Sequence, residues 1–202
     1  MRNDDGPYLA PLRREEVPQL EPLFEMCMEL LGFVANDLLT IARKPEFAQK
    51  ILEFTMTVMD ESTLPDDLIN LINLLASATA GCRYCTGHTA NRAGEFGMDA
   101  AKVAAIWEFE SSPLYSERER AALMFTLKAS QTPSGLDKPD FEAASKHFSD
   151  TEIVEMLMII CQMGFWNRWN DSLATTLEPT PLAFSKATLP GTRWQAGKHD
   201  SM

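Results

Sequence analysis

The segment from Pro65 to Ala80 constrains everything around it. It carries Leu68, Ile69, Leu71, Ile72, Leu74 and Leu75 and almost no polar face. A helix that is apolar nearly all round is stable only when other elements surround it. The segment falls short of the roughly 18 apolar residues of a membrane span, and no other stretch reaches that length. It is therefore read as a buried central helix that the rest of the chain must cover. Pro65 suits a first helical turn, and Ser62 or Thr63 is the expected cap.

The covering segments show helical spacing. Leu20, Leu23, Phe24, Cys27, Met28, Leu30 and Leu31 recur at intervals of three and four, and Gly32 stops the run. Asn36 to Arg43 and Pro45 to Met59 read as two further helices. Another opens at the Cys82 motif and runs to about Gly94, followed by Ala100–Phe109. Ser116-Glu117-Arg118-Glu119 and Ser149-Asp150-Thr151-Glu152 are capping boxes that open helices to about Ser130 and through Met163. Phe141–Phe148 is a short helix, and Trp166 to Leu177 closes the helical part. No strand-like alternation persists, so the fold is expected to be all-α. Three regions follow: a polar, proline-containing arm over 1–18, a helical domain over 19–177, and a tail over 178–202.

Charge narrows the partners. Eighteen basic and twenty-nine acidic residues give a net charge of −11, which disfavours nucleic acid and anionic membranes. The charged start Met1-Arg2-Asn3-Asp4-Asp5 lacks the apolar run of a signal peptide, so a cytoplasmic location is expected. In a reducing compartment a close cysteine pair is more often catalytic or metal-binding than a structural disulfide.

That pair lies in Ala80-Gly81-Cys82-Arg83-Tyr84-Cys85-Thr86-Gly87-His88-Thr89. Cys82 and Cys85 share a helix face, and His88 continues the stripe. Thiols at this spacing close a disulfide with little backbone movement. A helix N-terminus stabilises a thiolate, and Arg83 is a second candidate for that task. An imidazole alongside moves the thiol proton. Two other readings of the same residues stay open. A zinc site would use both cysteines and His88 with a fourth ligand from Cys27, Cys161, His147 or a carboxylate. Alternatively, the cysteines are plain buried thiols.

The run from Leu68 to Ala93, with Gly81-Cys82-Arg83-Tyr84-Cys85 followed by His88 and an alanine-rich helix, resembles the core motif of the carboxymuconolactone decarboxylase and AhpD-like family, in its alkylhydroperoxidase-like branch. The order of helices over 20–177 is compatible with it. The resemblance implies an AhpD-like helical bundle that assembles as an obligate homo-oligomer, a trimer, hexamer or dimer. It implies a thiol peroxidase or disulfide oxidoreductase in which Cys85 attacks a small hydroperoxide and Cys82 resolves the sulfenic acid. A thiol reductant, protein or small dithiol, would restore the pair, and no bound cofactor or metal is expected. The decarboxylase branch does not use a cysteine pair, so both cysteines argue against it. A non-enzymatic redox sensor is a third reading.

Two departures stand out. AhpD has a relay glutamate twelve residues before the first cysteine, where this chain has Asn70; Asp66, Asp67 and Glu61 are the candidate substitutes. AhpD's histidine lies four residues after the second cysteine, where this chain has Thr89, with His88 one residue earlier. Tyr84 is a candidate for lining the site, as are Trp166 and Trp169 with Asn167 and Asn170, which could equally form a subunit contact. Cys161 and Cys27 read as inert buried thiols, and His147 and His199 as surface residues.

Overall fold

A computed structural model describes residues 6–189 and 194–200. The first five residues of the expected arm, and 190–193 and 201–202 of the expected tail, lie outside the described residues. Ten α-helices occupy the described residues, with short 3-10 turns between them and no strand. They are α1 Glu21–Leu31, α2 Asn36–Ile41, α3 Pro45–Asp60, α4 Asp66–Thr79, α5 Arg83–Glu95, α6 Ala100–Ala104, α7 Glu117–Ala129, α8 Lys138–Ala144, α9 Asp150–Leu173 and α10 Pro179–Thr188. The fold is all-α, as the periodicity required.

Helix α4 is the central element. Every residue from Leu68 to Ser77 is buried, and the helix packs against α5, α7 and α9. Full burial of each Leu or Ile contributes about 1.5–3 kcal/mol, so this one helix supplies a large part of the drive to fold. Its start differs from expectation. Pro65 occupies the N-cap position, with no side-chain cap. Ser62 and Thr63 instead bind Glu155 of α9, at 3.1 Å to the Ser62 hydroxyl and 2.9 Å to the Thr63 N–H. The two hydroxyl residues thus pin the α3–α4 loop to α9.

Both capping boxes form as read: Ser116 with Glu119 and Ser149 with Glu152 close them. A third, Asp137 with Asp140, starts α8 three residues before the expected Phe141. The segments through Met163 and from Trp166 are one continuous helix, α9, because Gly164 lies inside it without a break. Helical structure also continues past Leu177. Pro179 and Pro181 occupy the first turn of α10, where proline is tolerated. In the sequence they read as breakers.

Helix α10 lies on α5. The contact is close because Gly87 has no side chain: a Cβ there would stand 3.1 Å from Leu177 Cδ2 and 3.3 Å from Ser185 Oγ. Trp194 folds back in the same direction, its indole N–H donating to the Arg83 carbonyl at 3.0 Å. His199, read as a surface residue, is buried and bonds through Nδ1 to the Thr175 carbonyl at 2.7 Å. Cys161, read as buried, is exposed. It shares an outward stripe of α9 with the exposed Val154 and Met158, while Met156, Ile159, Ile160 and Met163 fill the inner face. Cys27 is buried as read, and burial pushes its thiol up to about 11.

Candidate active site

The turn between α4 and α5 builds the centre of the site. Gly81 takes a left-handed conformation with φ +74°, which glycine adopts without strain. That bend reverses the chain and places Cys82 at the N-cap of α5. The Cys82 sulfur accepts the backbone N–H of Cys85 at 3.2 Å, and the two sulfurs lie 2.7 Å apart. The hydroxyls of Thr86 and Thr89 bond back to the carbonyls of Cys82 and Cys85, at 2.8 and 2.9 Å. Thr89, at the position of the AhpD histidine, therefore serves the helix backbone. Both sulfurs are under cover, Cys82 being 0% and Cys85 3% exposed.

Electrostatics separates the groups. Burial pushes the Cys85 thiol well above the ordinary range, and the Cys82 thiol beside it adds to the shift. Arg83 is exposed and turned to the C-terminal segment, against Gly197.

His88 faces an acid that the sequence did not offer. Its Nε2 lies 2.5 Å from Glu178 Oε2, with 22% of the His88 side chain exposed against 6% for Glu178. The Tyr84 hydroxyl donates to Glu178 Oε1 at 3.0 Å, and the Asn36 backbone N–H donates to the same oxygen at 2.6 Å. Burial opposes charge on the imidazole, but the facing Glu178 carboxylate outweighs it and raises His88. Burial likewise pushes the Glu178 carboxyl up, but His88 and the Asn36 N–H outweigh it and hold the carboxyl low. The pair is thus an imidazolium against a carboxylate. The Tyr84 ring stacks at 4.4 Å on His88, and Phe33 meets it edge-on at 5.8 Å.

A second acid, Asp37, is enclosed nearby. Burial raises its carboxyl above the usual range. Asn170 Nδ2 donates to Asp37 Oδ2 at 3.0 Å and reaches Cys85 Sγ at 3.6 Å.

The expected residues divide clearly. Cys82, Cys85, His88 and Tyr84 come together. Asn70 is buried within α4, while Asp66, Asp67 and Glu61 are exposed; the polar contacts to the sulfurs and His88 come from Asn170 and Glu178. Asn167 is buried one turn from Asn170 and donates to the Ala76 carbonyl at 3.4 Å. Trp166 packs toward α3, donating to Thr55 Oγ1 at 3.2 Å. Phe33, Asp37 and Glu178 are the residues that sequence reasoning missed, while Asn170, read together with Asn167 as a candidate for lining the site, is the one that reaches the sulfur. The one available signal was an acid placed among apolar neighbours, in Asn36-Asp37-Leu38-Leu39 and again after Leu177.

Among the described residues no group of three or more His, Cys, Asp and Glu is arranged to hold a metal ion, and no helix is long and apolar enough to cross a membrane. A groove of about 1060 Å³ lies between α4, α9 and the segment after α7, with Cys161, Gly164 and Asn167 in its wall. It is not lined by either cysteine of the pair. A smaller cavity of about 240 Å³, lined by Gly81, Arg83, Thr86, Trp107 and Trp194, adjoins the start of α5.

Comparison with known proteins gives a consistent picture. The profile of the Carboxymuconolactone decarboxylase family matches residues 45–128. The debrominase Bmp8, in its ligand-free crystal structure, is 34% identical, with a TM-score of 0.81 covering 88% of this chain and 96% of that one. A cysteine-to-alanine variant of Bmp8 in complex with 2,3,4-tribromopyrrole gives 33% identity and a TM-score of 0.83, covering 89% and 96%. An uncharacterized peroxidase-related protein from Ralstonia eutropha JMP134, described as an alkylhydroperoxidase AhpD core, shares the fold at 19% identity, with a TM-score of 0.76 over 86% of this chain and 94% of that one. The uncharacterized protein YnjA of Escherichia coli K12 is 27% identical over 92 residues; the match covers 46% of this chain and half of YnjA.

Proposed function

This chain belongs to the carboxymuconolactone decarboxylase, AhpD-like family, and from that premise we propose that it is a dithiol-dependent reductase of small electrophiles, with hydroperoxides as the first substrate class. The observation that carries the reading is the Cys82–Cys85 sulfur pair, 2.7 Å apart beneath a histidine–glutamate ion pair. In the hydroperoxide reaction the Cys85 thiolate attacks the outer oxygen. An S–O bond forms and the O–O bond breaks. The alcohol leaves with a proton supplied by His88, and Cys85 becomes a sulfenic acid. Cys82 then attacks that sulfur and expels water. Overall, two thiols and ROOH give a disulfide, ROH and water. A thiol reductant, protein or small dithiol, returns the two electrons.

A second reading is favoured by the likeness to debrominase Bmp8 over most of both chains. The same two electrons reduce an aryl bromide: two thiols and Ar–Br give a disulfide, Ar–H and HBr. The aryl carbon needs a proton, and His88, whose imidazole is raised by Glu178, is the group assigned to give it.

One experiment tests both. The reduced protein is mixed with cumene hydroperoxide or with a bromopyrrole, and the loss of two thiols, the intact-mass change and the alcohol or bromide formed are measured. Consumption of two thiols per product supports the reading, and the electrophile that reacts faster selects between its two forms. No disulfide with either electrophile sinks it. A homo-oligomer belongs to the same proposal, because Phe47, Phe54, Val154 and Met158 expose apolar surface; a monomer in light scattering would remove that part.

A further inference from the structure

We infer that Asn170 is the group that stabilises the Cys85 thiolate, and that Asp37 is a positioning residue that holds the Asn170 amide on the sulfur. The inference rests on the dithiol reading and specifies how its nucleophile forms.

Ionising Cys85 is difficult. The sulfur is almost fully enclosed, and its titratable neighbours are Cys82, Asp37 and Tyr84, with His88 and Glu178 interacting with Asp37 in turn. Cys82 does not solve the problem: its sulfur lies 2.7 Å away, but its influence raises the Cys85 thiol instead of lowering it. Asn170 Nδ2, at 3.6 Å, is the polar side chain outside the motif that reaches Cys85 Sγ, and it is the influence that lowers that thiol against burial. An N–H donor strengthens when its acceptor becomes anionic. The contact therefore favours thiolate over thiol.

Orientation comes from Asp37. The same Nδ2 donates to Asp37 Oδ2 at 3.0 Å, so one amide nitrogen spans a carboxyl and a sulfur. Burial raises the Asp37 carboxyl and the bond from Asn170 draws it part of the way back; negative charge on Asp37 opposes the thiolate, so its part is to hold the amide and not to stabilise the sulfur directly. Asn170 is 1% exposed, so its amide meets the carboxyl and the sulfur away from solvent. Neither Asn170 nor Asp37 lies within the matched stretch 45–128, and Asn70 stands where AhpD carries its acid. The amide and its carboxyl take up the task from outside the core.

The test titrates Cys85 in the Cys82→Ser background, where no disulfide forms, by the pH dependence of iodoacetamide alkylation read by mass. Asn170→Leu is expected to slow alkylation at pH 7.5 by at least about tenfold and to move the titration to higher pH. Asp37→Leu should shift it in the same direction by less, and Asp37→Asn, which keeps an acceptor, should restore most of the rate. An unshifted titration in folded Asn170→Leu overturns the inference. If that variant does not fold, the side-chain amide signals of ¹⁵N-asparagine-labelled parent protein are followed through the Cys85 titration. One amide moving with thiolate formation supports the assignment, and no such movement overturns it. The readout needs no substrate: wild type that forms no disulfide with cumene hydroperoxide or a bromopyrrole, with the titration shift intact, would remove the dithiol-reductase reading and leave the thiolate assignment standing.

Discussion

The two halves of the candidate site are built on opposite principles. The sulfur half is local: Gly81, Cys82, Cys85 and the two threonine hydroxyls sit within one turn and one helix, and their contacts span four residues or fewer. The acid half is assembled from afar. Glu178 meets His88 across 90 residues, Tyr84 across 94 and Asn36 across 142, and Asp37 meets Asn170 across 133. A local constellation can be carried intact by one segment. A distributed one exists only when α2, α5, α9 and the start of α10 are all docked, so the protein's acid–base chemistry is coupled to global folding and its thiol spacing is not.

The sharpest way to break this contrast is to remove a sulfur. Cys85→Ser is expected to abolish disulfide formation and electrophile reduction, with a thermal midpoint within a few degrees of wild type, because the change is local. A large drop in midpoint would show that the sulfur half is also structural. Next comes Glu178→Gln. It leaves a buried imidazole without its counter-charge, and a loss of about 3 kcal/mol is expected in denaturant unfolding. Turnover should fall by about a hundredfold if His88 is the proton donor. Activity lost without stability would place Glu178 in the chemistry alone.

Acidity gives a subtler separation. Glu178 is held low, so its contribution is present above the unfolded value of about 4.3 and is lost as pH falls through the folded value. His88 is held high, so its contribution is complete below about 6.5 and is lost as pH rises through the raised folded value. Asp37, also raised, loses stability upward from about 3.9. The thermal midpoint of wild type is therefore expected to fall as pH rises above about 6.5, and to fall less steeply in Glu178→Gln. Equal slopes would contradict the ion pair. The smallest effect should come from Ser116→Ala, which removes the α7 cap far from both halves. About 1 kcal/mol of stability is expected to go with it, and the reactivity of Cys85 should not change.

This division also explains what was legible in the sequence. The apolar period of Leu68 to Leu75 could mean only a surrounded helix, and Ser–x–x–Glu marked two helix starts because each box is closed within four residues. The cysteine motif announced itself in the same way. Glu178 looked like the edge of a proline-rich tail, since Pro179 and Pro181 are ambiguous between ending one helix and beginning another. Asn167 and Asn170 were candidates together, and only Asn170 reaches the sulfur: helical spacing tells which residues share a face, but not which of them meets the sulfur. Cys161 and His199 changed places for a related reason, since an apolar run has an outer side and a terminal segment can fold inward.

The enclosure of both sulfurs has a consequence for timing. A disulfide formed at 0% and 3% exposure meets outside thiols only when the end of α5 opens, so its exchange with the surrounding pool is gated by local unfolding. The redox state of the pair then lags behind the ambient potential. If the proposed function holds, each molecule would carry a record of its last encounter with an electrophile, erased at a rate set by the breathing of the fold.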